Sequence, residues 1–231
     1  MDEIKRPKLL AETVLNHLRE LIVQGDLKLG QVISERQLAD RLKVSKTPVR
    51  EAMAQLRVEG LVKIEPQKGA SVFTLGANEV TEICDFRQII EIQALSMSLD
   101  RARQALVDEI SIVVDRMYEA LALEDTRQYL ALDTRFHRAL FKHCDNSYLL
   151  ETYMRYAGKI AALRTHVATK PRHTSLSMRE HEDLLAALKD GSRQDAINIL
   201  KAHIDRTRGT YAAEITDIAL ADASFPEGAR P

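Results

Sequence analysis

ISERQLADRLKVSKTPVREAMAQLRVEG, residues 33–60, holds two short amphipathic segments joined by a few residues, and each opens on a serine. Ser34 precedes SERQLADRL with Gln37 three positions on, the arrangement of a capping box. Leu38, Ala39 and Leu42 supply its apolar face. After LKVS, Ser45 opens a second helix with Pro48 in its first turn, where a missing amide donor costs nothing, and Gly60 ends it. Upstream, Leu10, Val14, Leu18, Leu21 and Ile22 recur at helical spacing, and Gly25 and Gly30 mark a stop and a turn. Downstream, LVKIEP and ASVFTL alternate like two strands around QKG.

Three helices followed by a hairpin form a winged helix-turn-helix. The helix opened by Ser45 carries Lys46, Thr47 and, one turn later, Arg50 near its N-terminus. Free amides and the dipole there attract phosphate, hydroxyls add neutral donors, and the basic side chains reach phosphates or a guanine edge. A three-helix interaction domain with solvated charges would share the helical pattern, but the wing favours DNA. Residues 1–75 carry 13 Lys+Arg against 10 Asp+Glu, whereas the rest carries 20 against 24, so the basic bias sits in this part.

The run from Ile33 to Val72, ISERQLADRLKVSKTPVREAMAQLRVEGLVKIEPQKGASV, resembles the N-terminal winged helix of the GntR family of bacterial transcription regulators, within a match of about 65 residues. The resemblance implies DNA contacts from Arg36, from Lys46, Thr47 and Arg50, and from Lys68 with Gly69 at the wing tip. It also implies a homodimer, because a palindromic operator needs two reading heads.

Beyond TLGANEV the chain is read as six helices, near residues 77–103, 106–122, 125–143, 147–168, 174–189 and 192–216. The fold expected is mainly α: a winged helix over 1–75, an all-α antiparallel bundle over 76–216, and a tail over 217–231 without ordered structure. LALDTRFHRALFKHC, residues 130–144, places Asp133 and His137 on the same arc as Leu130, Leu140, Phe141 and Cys144. Either polar group left unpaired in a dry interior costs roughly 1–3 kcal/mol. His181 shares an inward arc with Met178, Leu184, Leu185 and Leu188, and His203 with Ile199, Leu200, Thr207 and Tyr211. Three imidazoles and a carboxylate delivered to one depth make a divalent-metal shell. Zinc is favoured, and nickel, iron(II) or manganese also suit N/O ligation.

Arg87 and Glu91 in DFRQIIEIQA, the DTRFH motif, Asn146, and His181 with His203 together resemble the all-helical FCD ligand-binding domain of the FadR subfamily within GntR. This implies that Asp133, His137, His181 and His203 hold a metal and that the effector is a small carboxylate. Arg87 and Arg164 also face inward and are candidates to meet that anion, although Glu91, one turn from Arg87, can pair with it instead. The function expected is a repressor whose operator binding is controlled by an organic acid. The alternatives are a regulator for which the ion itself is the signal and a metallohydrolase. The latter lacks a separate base or an HExxH signature.

No apolar run reaches the roughly 18 residues that span a bilayer, and no secretory signal pattern is evident, so a cytoplasmic protein with no membrane partner is expected. Cys84 and Cys144 are read as reduced core thiols.

Overall fold

The computed structural model describes the backbone of residues 6–65, 69–168 and 172–223, and side chains within these from residue 10 to 213. Contacts divide the chain into two compact units, one of residues 1–74 with 154–166, the other of 75–153 with 167–231.

In the first unit, α1 (Arg6–Val23) packs on α3 (Lys46–Val58), and α2 (Glu35–Leu42) packs on α3. Buried Val14, Leu18 and Ile22 meet the face that buries Val49, Ala52, Met53 and Leu56. Arg19 grips Glu59 through two bonds, Nε to Oε2 at 2.9 Å and Nη2 to Oε1 at 2.7 Å, a planar fork that ties α1 to the end of α3. Ser34 Oγ accepts from the Gln37 amide at 3.5 Å, one of the two bonds expected of a capping box. Lys43, at φ +55°, turns the chain between α2 and α3.

The wing has three strands in the order β1–β3–β2, all antiparallel, formed by Val32–Ile33, Val62–Glu65 and Gly69–Val72. The hairpin of β2 and β3 is the one read from alternation. Strand β1 was not expected, because two residues between a glycine turn and a helix cap are too short to show a period. Lys68, at the expected wing tip, lies outside the described residues.

The second unit contains α4 (Ala77–Arg101), α5 (Arg103–Ala122), α6 (Thr126–Lys142), α8 (His173–Asp190), α9 (Arg193–Ala223) and the ends of α7 (Ser147–Val167). Helix α4 contacts α5, α6 and α9, α5 contacts α6 and α8, and α8 contacts α9. Glu79 Oε2 accepts from the Gly76 amide at 2.9 Å and fixes the start of α4. Asp125 caps α6 by accepting from the Gln128 amide at 2.9 Å. Gly191, at φ +83°, ends α8 in the left-handed conformation and lets α9 fold back beside it. Ser98 Oγ donates to the Leu140 carbonyl at 2.6 Å in the core between α4 and α6.

Helix α9 runs to Ala223, past the expected end at 216, so the tail expected to lack order from 217 is helical as far as it is described. The stretch EITDIALADA contains no breaker before Pro226, and loss of apolar period does not end a helix of good intrinsic formers. Residues 224–231 lie outside the described residues. Among the described residues no helix is long and apolar enough to cross a membrane. Cys84 and Cys144 are both buried free thiols.

Glu109 joins α5 to α6. It accepts from Lys142 Nζ at 2.7 Å and His143 Nε2 at 2.8 Å, with Arg135 Nε at 3.4 Å. Burial pushes its carboxyl up, but the bonds from Lys142 and His143 outweigh this and hold it below the ordinary value of 4.5. A depressed folded pKa stabilises the native state above the unfolded value, and the contribution vanishes as pH falls through the folded value. Glu109→Gln is therefore expected to melt lower than the parent at pH 7, with the gap closing below about pH 4.5; a gap independent of pH in thermal melts would contradict the assignment.

Candidate metal centre and DNA-reading surface

Asp133 and His137 sit one turn apart on α6 and are 4% and 0% exposed, and His181 on α8 and His203 on α9 are 1% and 5% exposed. Their convergence follows from the short turn at Gly191. His181 and His203 lie comparable distances before and after it, so antiparallel packing of α8 on α9 sets the two rings side by side. Ring centroids are 5.0 Å apart for His181–His203, 5.3 Å for His137–His203 and 5.7 Å for His137–His181. One ligand atom from each imidazole falls within 4.8 Å of the others, the spacing of groups that share an ion. Asp133 Oδ1 lies 3.5 Å from His181 Nε2. Phe136 closes one side, its ring 4.1 Å from that of His181.

Two buried carboxylates adjoin this cluster. Glu91, wholly buried on α4, accepts from Arg87 Nε at 2.7 Å and from His137 Nδ1 at 2.7 Å. Burial alone would raise its pKa, but the charges of Arg87 and His137 and their hydrogen bonds hold it well below the carboxylate range. An ionised carboxylate can only accept, so His137 carries a proton on Nδ1, and it is Nε2 that offers a lone pair when the ring gives up its second proton. Glu180 on α8 repeats the pattern with His203 Nδ1 at 2.7 Å and a forked Arg206, Nε to Oε1 and Nη2 to Oε2 both at 2.6 Å. Against burial, the bonds from His203 and Arg206 bring Glu180 down to about 2. Arg206 also donates to Ser177 Oγ at 2.8 Å and to His173 Nδ1 at 3.3 Å. Burial, assisted by the Arg206 charge, pushes His173 down to about 4, so its ring is neutral at pH 7 and accepts that bond.

The donor set fits a divalent ion: three buried imidazoles close together, two with their lone pairs assigned to Nε2, and a carboxylate beside them. Arg87, 1% exposed, pairs with Glu91, as their one-turn spacing allows. Arg164, 6% exposed, lies on the stretch of α7 that groups with the first unit. Sequence reasoning missed Glu180 because it points off the apolar arc of α8. The available signal was His203 and Arg206, three apart on α9 and both needing an acceptor.

On the winged helix, Arg36, Lys46, Thr47, Arg50 and Gly69 are all exposed. Arg50 Nε lies 3.2 Å from Glu35 Oε2, and Arg36 Nε lies 4.0 Å from Asp40 Oδ2. These are solvent-screened pairs that yield readily to phosphate.

The chain matches the model of the FCD domain over residues 82–206 and that of bacterial regulatory proteins, gntR family, over residues 10–72. It belongs to the GntR family of transcription regulators, in the branch that carries an FCD domain. Among its GntR relatives, the gluconate operon transcriptional repressor of Bacillus subtilis is 25% identical over 226 residues, covering 94% of this chain and 89% of that protein. The transcriptional repressor NanR of Klebsiella aerogenes is 26% identical over 225 residues, covering 89% and 86%. A transcriptional regulator GntR from Rhodococcus sp. RHA1 shares the fold with a TM-score of 0.78 at 22% identity, covering 88% of this chain and 97% of that one. The chain is thus a DNA-binding transcription regulator and not an enzyme.

The Arg87–Glu91 pair is out of water on both sides, so removing one partner strands the other's charge. Glu91→Ala is expected to cost about 3–5 kcal/mol in urea unfolding, and the double variant Arg87→Met with Glu91→Met to recover most of it. Equal losses in both would show that a stranded Arg87 charge is not what Glu91→Ala costs.

Proposed function

We propose that this GntR-family protein is a homodimeric repressor of a palindromic operator, and that its affinity for DNA is set by a small organic acid bound at a divalent-metal centre of Asp133, His137, His181 and His203. The observation that carries the reading is the meeting of three buried imidazoles and Asp133 in the helical bundle of a DNA-binding chain. The donors suit zinc first, with nickel, manganese and iron(II) also compatible with nitrogen and oxygen ligands.

Charge favours an anionic effector. Around the cluster, Glu91, Asp133 and Glu180 face Arg87 and Arg206, which leaves one excess negative charge when the imidazoles are neutral. A bound divalent ion reverses the sign and supplies a Lewis-acidic partner for a carboxylate. Arg87, held in place by Glu91, adds its positive charge to the same anion site. Control then requires the acid to bind the DNA-competent and incompetent states with different affinity.

DNA is read by α2 and α3 with the wing. Lys46, Thr47 and Arg50 surround the start of α3, where backbone amides and hydroxyls receive phosphate, and Arg36 flanks them from α2. Gly69 brings the backbone close at the wing, with Lys68 beside it in sequence.

A thermal-shift screen of small organic acids, run with and without a chelator, tests the effector site. Some acid is expected to raise Tm, and the chelator to abolish that rise. Loss of operator binding on chelation with no acid present would make the ion itself the signal. His181→Ala is expected to lose bound metal and melt lower, and normal metal content by elemental analysis would reject the centre. For the DNA surface, Arg50→Ala is expected to weaken operator binding by about 1–3 kcal/mol, and Lys46→Ala to flatten the dependence of log K on log salt by about one unit. Unchanged affinity and slope in both variants would remove α3 as the reading helix.

A further inference from the structure

We propose that Glu91 and Glu180 are positioning residues of the metal centre, each holding one ligand imidazole by its Nδ1–H so that Nε2 is presented to the ion. The inference rests on the metal reading above and assigns the residues that make it work.

The two arms are built alike from different helices. In one, Arg87 and Glu91 are a turn apart on α4, and Glu91 bonds His137 across the core on α6. In the other, Glu180 on α8 bonds both His203 and Arg206, which are a turn apart on α9. Each carboxylate spends one oxygen on the imidazole, and each is clamped by a guanidinium that stops it from swinging away. Without such a partner an imidazole can turn over about its Cβ–Cγ bond and exchange which nitrogen carries the proton. A carboxylate on Nδ1–H removes both freedoms and raises the basicity of Nε2.

Simple ion pairing would need neither histidine. Glu91 and Glu180 would be satisfied by their arginines, and nothing would require both carboxylates to reach Nδ1 of residues that also converge on each other. The coincidence is what a pre-organised centre needs, since ligands already fixed in place lose little freedom when the ion arrives.

The test is made on Glu180, because its side chain is 22% exposed and Arg206 retains Ser177 and His173 when the carboxylate is removed. The full chain and its Glu180→Ala, Glu180→Gln and His203→Ala variants are titrated with zinc against a chromophoric chelator, with cobalt(II) absorption spectra and melts of the metal-free proteins alongside. His203→Ala is expected to lose tight zinc binding, and Glu180→Ala to bind about 10- to 100-fold more weakly with altered cobalt bands. Glu180→Gln is expected to fall between Glu180→Ala and the parent, because its amide oxygen still accepts the Nδ1 proton, and it carries the test if Glu180→Ala does not fold. Parent-like zinc affinity and cobalt spectrum in both Glu180 variants, with binding lost in His203→Ala, would overturn this inference and leave the metal centre standing. A parent chain that binds neither zinc nor cobalt would overturn both.

Discussion

A carboxylate with no access to water sits at the middle of the helical unit, and its neighbours are chosen to tolerate it. Glu91 is fully buried, and an isolated charge there would cost several kcal/mol. Arg87 on its own helix and His137 on α6 supply the compensating hydrogen bonds, so α4 and α6 meet in one register around that carboxylate. Ser98, donating to the Leu140 carbonyl, pins the same two helices further along. A slip between the two helices would break the 2.7 Å hydrogen bond that His137 of α6 makes to Glu91 of α4 and leave a buried carboxylate short of a donor. The polar centre therefore helps to fix how α4 and α6 pack.

Much of this was legible in the sequence because period and punctuation agreed. Gly60, Gly76 and Gly191 stand at element ends, and the helices expected from residue 77 onward appear as α4 to α9 with ends shifted by a few residues. His137, His181 and His203 could be picked out because each interrupts an apolar arc, and a polar residue on a core face needs a reason. Glu180 interrupts nothing on its own helix. Its meaning depends on α9 passing beside α8, a tertiary fact with no local period. Strand β1 and the last turns of α9 were missed for the same kind of reason: one is too short to repeat, and the other is helical by intrinsic preference without an apolar stripe.

The two units carry charge differently. On the winged helix, Arg36 and Arg50 are exposed and loosely paired with Asp40 and Glu35, whereas Arg87 is sealed in and Arg206 is half-buried and forked onto Glu180. Exposed cations can exchange partners and release counterions on binding DNA, but buried ones hold a geometry. A regulator needs both kinds, one to engage a polyanion reversibly and one to keep a small site in shape.

The tight reversal at Gly191 bears on how the chain assembles. Because α8 and α9 are consecutive and pack against each other, His181 and His203 meet through a connection short in sequence, with little loop-closure entropy. The contribution of α6 must arrive over a longer span. Like the consecutive pair α5 and α6, this helical hairpin is thus a segment of the bundle whose contacts are local enough to organise early.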